Sequence, residues 1–396
     1  MKPFMERLQQ QMGLLQMLRA SGLHTYGLDV SSGCQALMRA EGKERINFIS
    51  NSYMGFSTHP FVLEAVTNAL KEFGLGIGGS PMACGNTVLH KRLSERLAQN
   101  YDKQAALIYP SGYQALLGAV QGLVGRGDMA LVDALSHRSI IDGCILSGCK
   151  MRSWKHNDTH DLKNLIKRTE AKATNRVVVV DSVYSMDGDV APLPQMKAVC
   201  DPANVTILID EAHSLGIMGK TGKGLLEHFE IPDGADVVAG TFSKFAGAVG
   251  GFIAGDKDLI EYLFHYSSPF VFSASIPPAV VAGILASFHV LESEPQWHEQ
   301  LWDNVHFVID GLNNLGFDTG ASSTPVIPIM IRDTEKVLRM NRKLLDEGVY
   351  ASPVVHPGVP LKKERIRLGV MATHTRDQLQ KALEILKKVG KEFGVI

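Results

Sequence analysis

Val177-Val178-Val179-Val180-Asp181-Ser182-Val183-Tyr184-Ser185-Met186-Asp187-Gly188-Asp189 is the stretch on which the fold turns. Four β-branched residues with no polar alternation read as a strand buried on both faces, as in a parallel sheet covered by helices. The polar residues that follow sit at the strand's carboxyl end, where open α/β sheets bind ligands. Ser185 is placed there to donate to a ligand oxygen, while Asp187 and Asp189 around Gly188 read as turn-formers. Thr206-Ile207-Leu208-Ile209-Asp210 repeats the pattern, so a second strand also ends in a carboxylate.

Working outward, strands are expected at 106–109, 130–133, 176–181, 205–210, 237–240 and 251–254, alternating with helices at 60–74, 88–100, 112–124, 138–147 and 158–172. Residues 3–20 read as a polar amphipathic helix and 21–45 as a loop-rich arm. A long helical region near 275–315 leads to a second block, with strands near 325–331, 349–354 and 365–369 and helices near 334–346 and 375–390. The expected organisation is an arm (1–45), a large α/β domain (46–290) and a smaller α+β domain (291–396).

The 396 residues carry a net charge of -1, which offers no electrostatic footprint for nucleic acid or a membrane surface. The start is polar, with no signal-peptide core, and the longest apolar run, near Ile276 to Phe288, is too short to span a bilayer. Five cysteines with no Cys-x-x-Cys pair point to a reducing compartment and no structural zinc. A cytoplasmic location is expected.

The chemistry centres on Gly240-Thr241-Phe242-Ser243-Lys244-Phe245-Ala246-Gly247. A lysine among small residues and hydroxyls suits amine chemistry at a cofactor, because burial helps its ammonium lose a proton. Taken alone, it also fits a solvated loop lysine. Asp210-Glu211-Ala212-His213 is the next strongest signal. A carboxylate at a buried strand end calls for a cation, and a protonated pyridine nitrogen is one. A metal reading of Asp210, Glu211 and His213 finds no further ligand cluster to complete it.

Ser111-Gly112-Tyr113-Gln114 opens a helix after a strand, either as a phosphate cradle or as an ordinary N-cap. His137 ends the next strand, where it either lies on a cofactor ring or is a satisfied loop histidine. Asn51 suits a substrate carboxylate or a turn. In Arg365-Ile366-Arg367-Leu368 the alternation of a strand is expected to turn one arginine toward a cleft and the other away. Gly219-Lys220-Thr221-Gly222-Lys223-Gly224 fails as a nucleotide loop, since the required first glycine falls at Ser214.

As a set, Ser-Met-Asp-Gly-Asp, Asp-Glu-Ala-His-Ser and Gly-Thr-Phe-Ser-Lys at this spacing resemble the α-oxoamine synthases, and the likeness runs from Asn51 to the last helix. The resemblance implies an aminotransferase fold of type I, a pyridoxal phosphate transferase with a mostly parallel seven-stranded sheet and a smaller α+β domain. It implies decarboxylative condensation of a small amino acid (serine, glycine or alanine) with an acyl thioester such as an acyl-CoA, in a homodimer with its active site at the subunit interface. By position, Lys244 would be the Schiff-base lysine and general base, with Asp210 at the pyridinium nitrogen and His137 stacked on the ring. His213 and Ser185 would touch the ring oxygen, and Ser111, Gly112, Tyr113 and Thr241 the phosphate, with Ser273 arriving from the other subunit. Asn51 and Arg367 would bind the substrate carboxylate.

The chain also departs from the family pattern. Ser80-Pro81-Met82 stands where succinyl-using members carry Thr-Arg-Asn, which favours an apolar acyl chain, and the ending Gly369-Val370-Met371-Ala372-Thr373-His374-Thr375 resembles the serine palmitoyltransferases. Ala274 replaces a hydroxyl beside Ser273, and Asp181 stands where glutamate is common. Glycine C-acetyltransferase, 8-amino-7-oxononanoate synthase, a fold-type-I aminotransferase and a non-catalytic partner subunit stay open as alternatives. An intact Lys244 argues against the last.

Overall fold

In the computed structural model, which describes residues 2–396, the chain divides into two compact units. The larger takes in Asn51–Ser185 and Asp189–Gln300; the other takes in Met1–Ser50, Met186–Gly188 and Leu301–Ile396.

The larger unit is built on a seven-stranded sheet in the order 105–109, 251–255, 237–241, 206–210, 176–181, 129–133, 150–154. Neighbours pair in parallel from Val237–Thr241 through to Lys150–Trp154; Gly251–Gly255 alone runs antiparallel to both its neighbours. The valine run behaves as its composition requires. Val177 to Val180 are each at most 1 % exposed, so successive side chains are buried on opposite faces. Val177 and Val179 join Leu107, Val132, Leu208 and Ala239 in a core covered by the helices Gly112–Leu123, Arg138–Ser147 and Lys257–Tyr266. Each valine buried in this way is worth about 1.5–3 kcal/mol. The arrangement brings Ser111, Asp133, Asp181, Asp210 and Thr241, from the ends of parallel strands, to one edge of the sheet.

The other unit holds an antiparallel sheet of Val326–Met330, Arg365–Gly369 and Ser352–Val354. In a second small sheet Lys43–Asn47 is central, antiparallel to Leu37–Ala40 and parallel to Val349–Tyr350. These first two strands correct the expectation of a loop-rich arm over 21–45. Met38, Ala40, Ile46 and Tyr350 are buried, but the charged Arg39, Lys43, Glu44 and Arg45 between them mask so short an alternation.

The long helical region is two helices, Pro278–Ser293 and Gln296–Leu315, parted at Glu294-Pro295, since proline cannot continue the ladder of the first. Leu193–Cys200 and Lys257–Tyr266 are helices that the periodicity did not single out. Among the described residues no helix is long and apolar enough to cross a membrane.

Candidate active site

The strand ends of the larger unit surround a cleft of about 260 Å³. Ser111, Gly112, Tyr113, His137, Asp210, His213, Thr241 and Lys244 line it, and so does Asp181.

One wall is the start of the Gly112–Leu123 helix. Ser111 is extended, and its Oγ accepts the Gln114 N–H at 3.2 Å, capping the helix. The cap leaves other N–H groups of the first turn without helical partners. A Cβ on Gly112 would stand 2.5 Å from the Thr241 Cβ, so only glycine allows this backbone to lie so close to Thr241. The Thr241 hydroxyl donates to the Gly250 carbonyl at 2.8 Å and lies 3.0 Å from the Ser243 hydroxyl.

Lys244 sits on the connection between two antiparallel strands. The Phe242 N–H donates to the Gly250 carbonyl at 3.0 Å and the Ala248 N–H to the Phe242 carbonyl at 3.1 Å, which closes the loop. Phe242 and Phe245 are fully buried, stacked on Phe252 and packed on Phe288 with ring centroids 5.5 and 4.9 Å apart. Two anchored aromatics therefore fix the backbone that carries the half-buried lysine.

Asp210, 3 % exposed, accepts the Ala212 N–H at 2.9 Å. Burial pushes its carboxyl above the usual range, against the pull of Lys244 and His137. Asp181 is its register partner on the next strand and accepts the His137 N–H at 3.1 Å. Burial first, and then the Asp210 charge, lift Asp181 well above the ordinary carboxyl range. His137 caps the Arg138–Ser147 helix, its Nδ1 2.7 Å from the Ser139 hydroxyl. Desolvation at the cleft wall, with Lys244 nearby, keeps this imidazole below its ordinary value although Asp210 pulls the other way.

The Nδ1 of His213 lies 2.8 Å from the Tyr53 hydroxyl, which stands 3.4 Å from the Asn51 Oδ1. The Asn51 Oδ1 only accepts, so it takes the Tyr53 proton, and both bonds form together when the His213 Nδ1–H donates to the Tyr53 oxygen. Glu211 faces away. It accepts the Leu225 N–H at 3.0 Å and the Ser214 hydroxyl, and burial pushes it up to about 7. Asp210, Glu211 and His213 thus have separate partners, and among the described residues no cluster forms a metal site.

Four expected site residues do not line this cleft: Asn51, Ser185, Ser273 and Arg367. Asn51 reaches His213 only through Tyr53. The Ser273 hydroxyl accepts from the Gln114 Nε2 of the same chain at 2.8 Å. Arg367 belongs to the other unit and is buried in the 365–369 strand. The expectation that alternation separates the two arginines is corrected here. Residues two apart share a face of a strand, and both Arg365 and Arg367 are buried. Arg365 is held by the Asp187 carboxylate and the Met186 carbonyl, each at 2.8 Å, so Asp187 anchors an arginine as well as shaping a turn. Replacing Arg365 with methionine is expected to destabilise this unit by about 3–5 kcal/mol in urea unfolding, because a buried hydrogen-bonded ion pair is broken from one side.

Tyr53, Gln114 and Ser139 were missed by the sequence reading. Tyr53 had a weak signal, an aromatic beside the singled-out Asn51; Gln114 lies three residues past the cap expected at Ser111, and Ser139 two past His137, which the sequence did not mark as a cap.

The aminotransferase class I and II family model matches residues 43–386. An 8-amino-7-oxononanoate synthase of Thermoanaerobacter pseudethanolicus is 38 % identical over 93 % of both chains. A serine palmitoyltransferase of Sphingobacterium spiritivorum is 38 % identical over 96 % of both. A solved serine palmitoyltransferase holding pyridoxal phosphate superposes with a TM-score of 0.93 at 33 % identity, over 98 % of this chain and 99 % of that one. The Sphingomonas wittichii serine palmitoyltransferase gives 0.92 at 32 %, over 98 % of both. The fold and the cleft define a fold-type-I transferase. The chain belongs to the aminotransferase class I and II family and, within it, to the α-oxoamine synthases.

Proposed function

We propose that the cleft binds pyridoxal 5'-phosphate and that the chain condenses a small amino acid with an acyl thioester, releasing carbon dioxide and the thiol to give an α-aminoketone. The observation that carries the reading is the gathering of Lys244, Asp210, His137 and the capped start of the Gly112–Leu123 helix around one cleft. These residues fit the cofactor. A phosphate needs hydrogen-bond donors and a positive helix end, which the N–H groups of Gly112 and Tyr113 and the Ser111 hydroxyl supply, with Thr241 joining them when its hydroxyl turns from the Gly250 carbonyl. A pyridinium nitrogen needs an anion, which Asp210 supplies. Bound there, the group offers an electrophilic carbon and a ring that accepts an electron pair.

The chain's own residues do the rest. Lys244 would hold the cofactor through its Nζ, and the same amine, once free, is placed to take the substrate α-proton. Asp210 keeps the ring nitrogen protonated. His213 and Ser185 would contact the ring oxygen, and His137 would cover the ring face. Asn51 and Arg367 are assigned to the substrate carboxylate, and Ser273 of a second copy to the phosphate, in a cytoplasmic homodimer. Pro81 and Met82, in the helical turn Pro81–Gly85, favour an apolar acyl chain, whether coenzyme A or an acyl carrier protein carries it.

Gly112→Ala is expected to raise the dissociation constant for pyridoxal phosphate about tenfold or more while the apoprotein stays folded. A Cβ 2.5 Å from Thr241 moves the cradle, and overpacking of this kind costs about 1–3 kcal/mol. Titration by absorbance checks it.

The function itself is tested by loading the protein with pyridoxal phosphate and adding glycine, L-alanine or L-serine, each with acyl-CoAs of graded length. Thiol and carbon dioxide released in equal amounts with one amino acid name the substrate. An aminotransferase would give a keto acid with no thiol, and a protein with no cofactor absorption would end the reading.

A further inference from the structure

His156 plays no part in the mechanism above, yet it occupies a conspicuous place in the larger unit. Its Nδ1 lies 2.9 Å from the Asp133 Oδ1 and its Nε2 2.8 Å from the Asp189 Oδ2. Carboxylates only accept, so both ring nitrogens must donate for both bonds to form, and only the imidazolium does that. The following residue doubles the bridge. The Asn157 N–H donates to the Asp133 Oδ2 and its Nδ2 to the Asp189 Oδ2, each at 2.9 Å. The Tyr184 ring meets the imidazole edge-on, with centroids 4.4 Å apart. Asp133 and Asp189 are thus the charged groups that face it, with Tyr184 the further titratable one.

The two carboxylates sit at corresponding places. Asp133 ends its strand four positions before His137, and its Oδ1 also accepts the Leu135 N–H at 2.8 Å, inside the connection to His137. Asp189 follows Ser185 by four positions and closes the turn through its carbonyl, which accepts the Tyr184 N–H at 3.0 Å.

We propose that His156 is a positioning residue, an imidazolium clamp joining the loop that presents His137 to the cofactor ring with the turn that presents Ser185 to the ring oxygen. The assignment of those two roles rests on the proposed function; the clamp rests on the geometry. Burial alone would lower this imidazole, but the hydrogen bonds to Asp133 and Asp189 outweigh it and hold the group up near 10, so the clamp stays closed through the neutral range.

The test uses the holoenzyme with 15N-labelled histidine, His156 being assigned by its loss in His156→Gln. At about pH 8.5, some two units above the ordinary imidazole value, both ring nitrogens of His156 are expected in the protonated range; a neutral imidazole there overturns the proposal. His156→Gln is expected to lower kcat by about 10- to 100-fold, as misplacement near the chemistry does, with the amino-acid KM nearly unchanged and the pH dependence of the cofactor absorption displaced. Adding Asp189→Asn should recover part of that loss by removing the carboxylate left without its cation. A His156→Gln enzyme with the parental kcat and cofactor titration overturns the clamp. Should that variant not fold, His156→Arg, which keeps the cation and two donors, must retain the parental cofactor spectrum; a spectrum displaced with no gain in folding over glutamine overturns it equally. If the chain takes up no pyridoxal phosphate, the proposed function falls, and the imidazole spectrum still decides the clamp.

Discussion

Lys244→Ala is expected to lower turnover by about 10⁴-fold or more, the upper end of what a positioned proton-transfer group contributes. Lys244 has two duties in the proposed reaction, holding the cofactor and taking the α-proton, and alanine can do neither. The fold should survive. The loop is fixed by the buried Phe242 and Phe245 and by the bonds to Gly250, none of which involves the lysine side chain. The variant should therefore melt with the parent as apoprotein, still take up pyridoxal phosphate through Ser111, Thr241 and Asp210, and lose the absorption near the visible edge that the parent shows. A small exogenous amine should restore part of the rate, because it replaces the proton acceptor without the tether. Retained absorption and retained turnover would place the reactive amine elsewhere and remove the lysine from the mechanism.

What could be read from sequence divides along a physical line. The central strands were legible because their signal is local. Val177–Val180 and Thr206–Ile209 carry apolar side chains on both faces, which only a covered parallel strand accommodates, and the residues that end them then fall at the ligand edge by topology alone. The cleft residues taken from those ends, Asp210, His137, Ser111 and Thr241, do meet around one cavity. What escaped depends on partners distant in sequence. Tyr53 matters through a bond to His213, 160 positions away, and His156 through carboxylates 23 and 33 positions away. No window of sequence contains those pairs. The small strands Leu37–Ala40 and Lys43–Asn47 were hidden for the opposite reason. Their pattern is local but short and heavily charged, and pairing with Val349–Tyr350 supplies the burial that the segment does not announce.

Asp210→Asn should move stability and activity in opposite directions. The carboxylate is 3 % exposed and its folded value is raised, chiefly by burial. The sign follows from linkage: a carboxyl held above its unfolded value of about 3.8 favours folding most when protonated, so its contribution is complete below that value and is lost as pH rises through the folded one. At neutral pH the apoprotein therefore bears a desolvated charge, offset in part by Lys244 and His137. Asparagine keeps the volume and can still accept the Ala212 N–H, but carries no charge. The apo variant should melt a few degrees higher than the parent at pH 7, and the gap should close as pH falls toward 4. Activity should fall by about 10³-fold, the upper range for removing one preorganised electrostatic partner, since a neutral amide does not hold a proton on the ring nitrogen. Pyridoxal phosphate should bind more weakly and absorb differently, because the pyridinium loses its counter-charge. Calorimetry of the apoprotein from about pH 4 to 8 and a single-turnover rate with the holoenzyme read the two effects separately. A variant that is both less stable as apoprotein and fully active would show that Asp210 is a structural carboxylate and that the ring nitrogen, if it is protonated at all, takes its charge from another group.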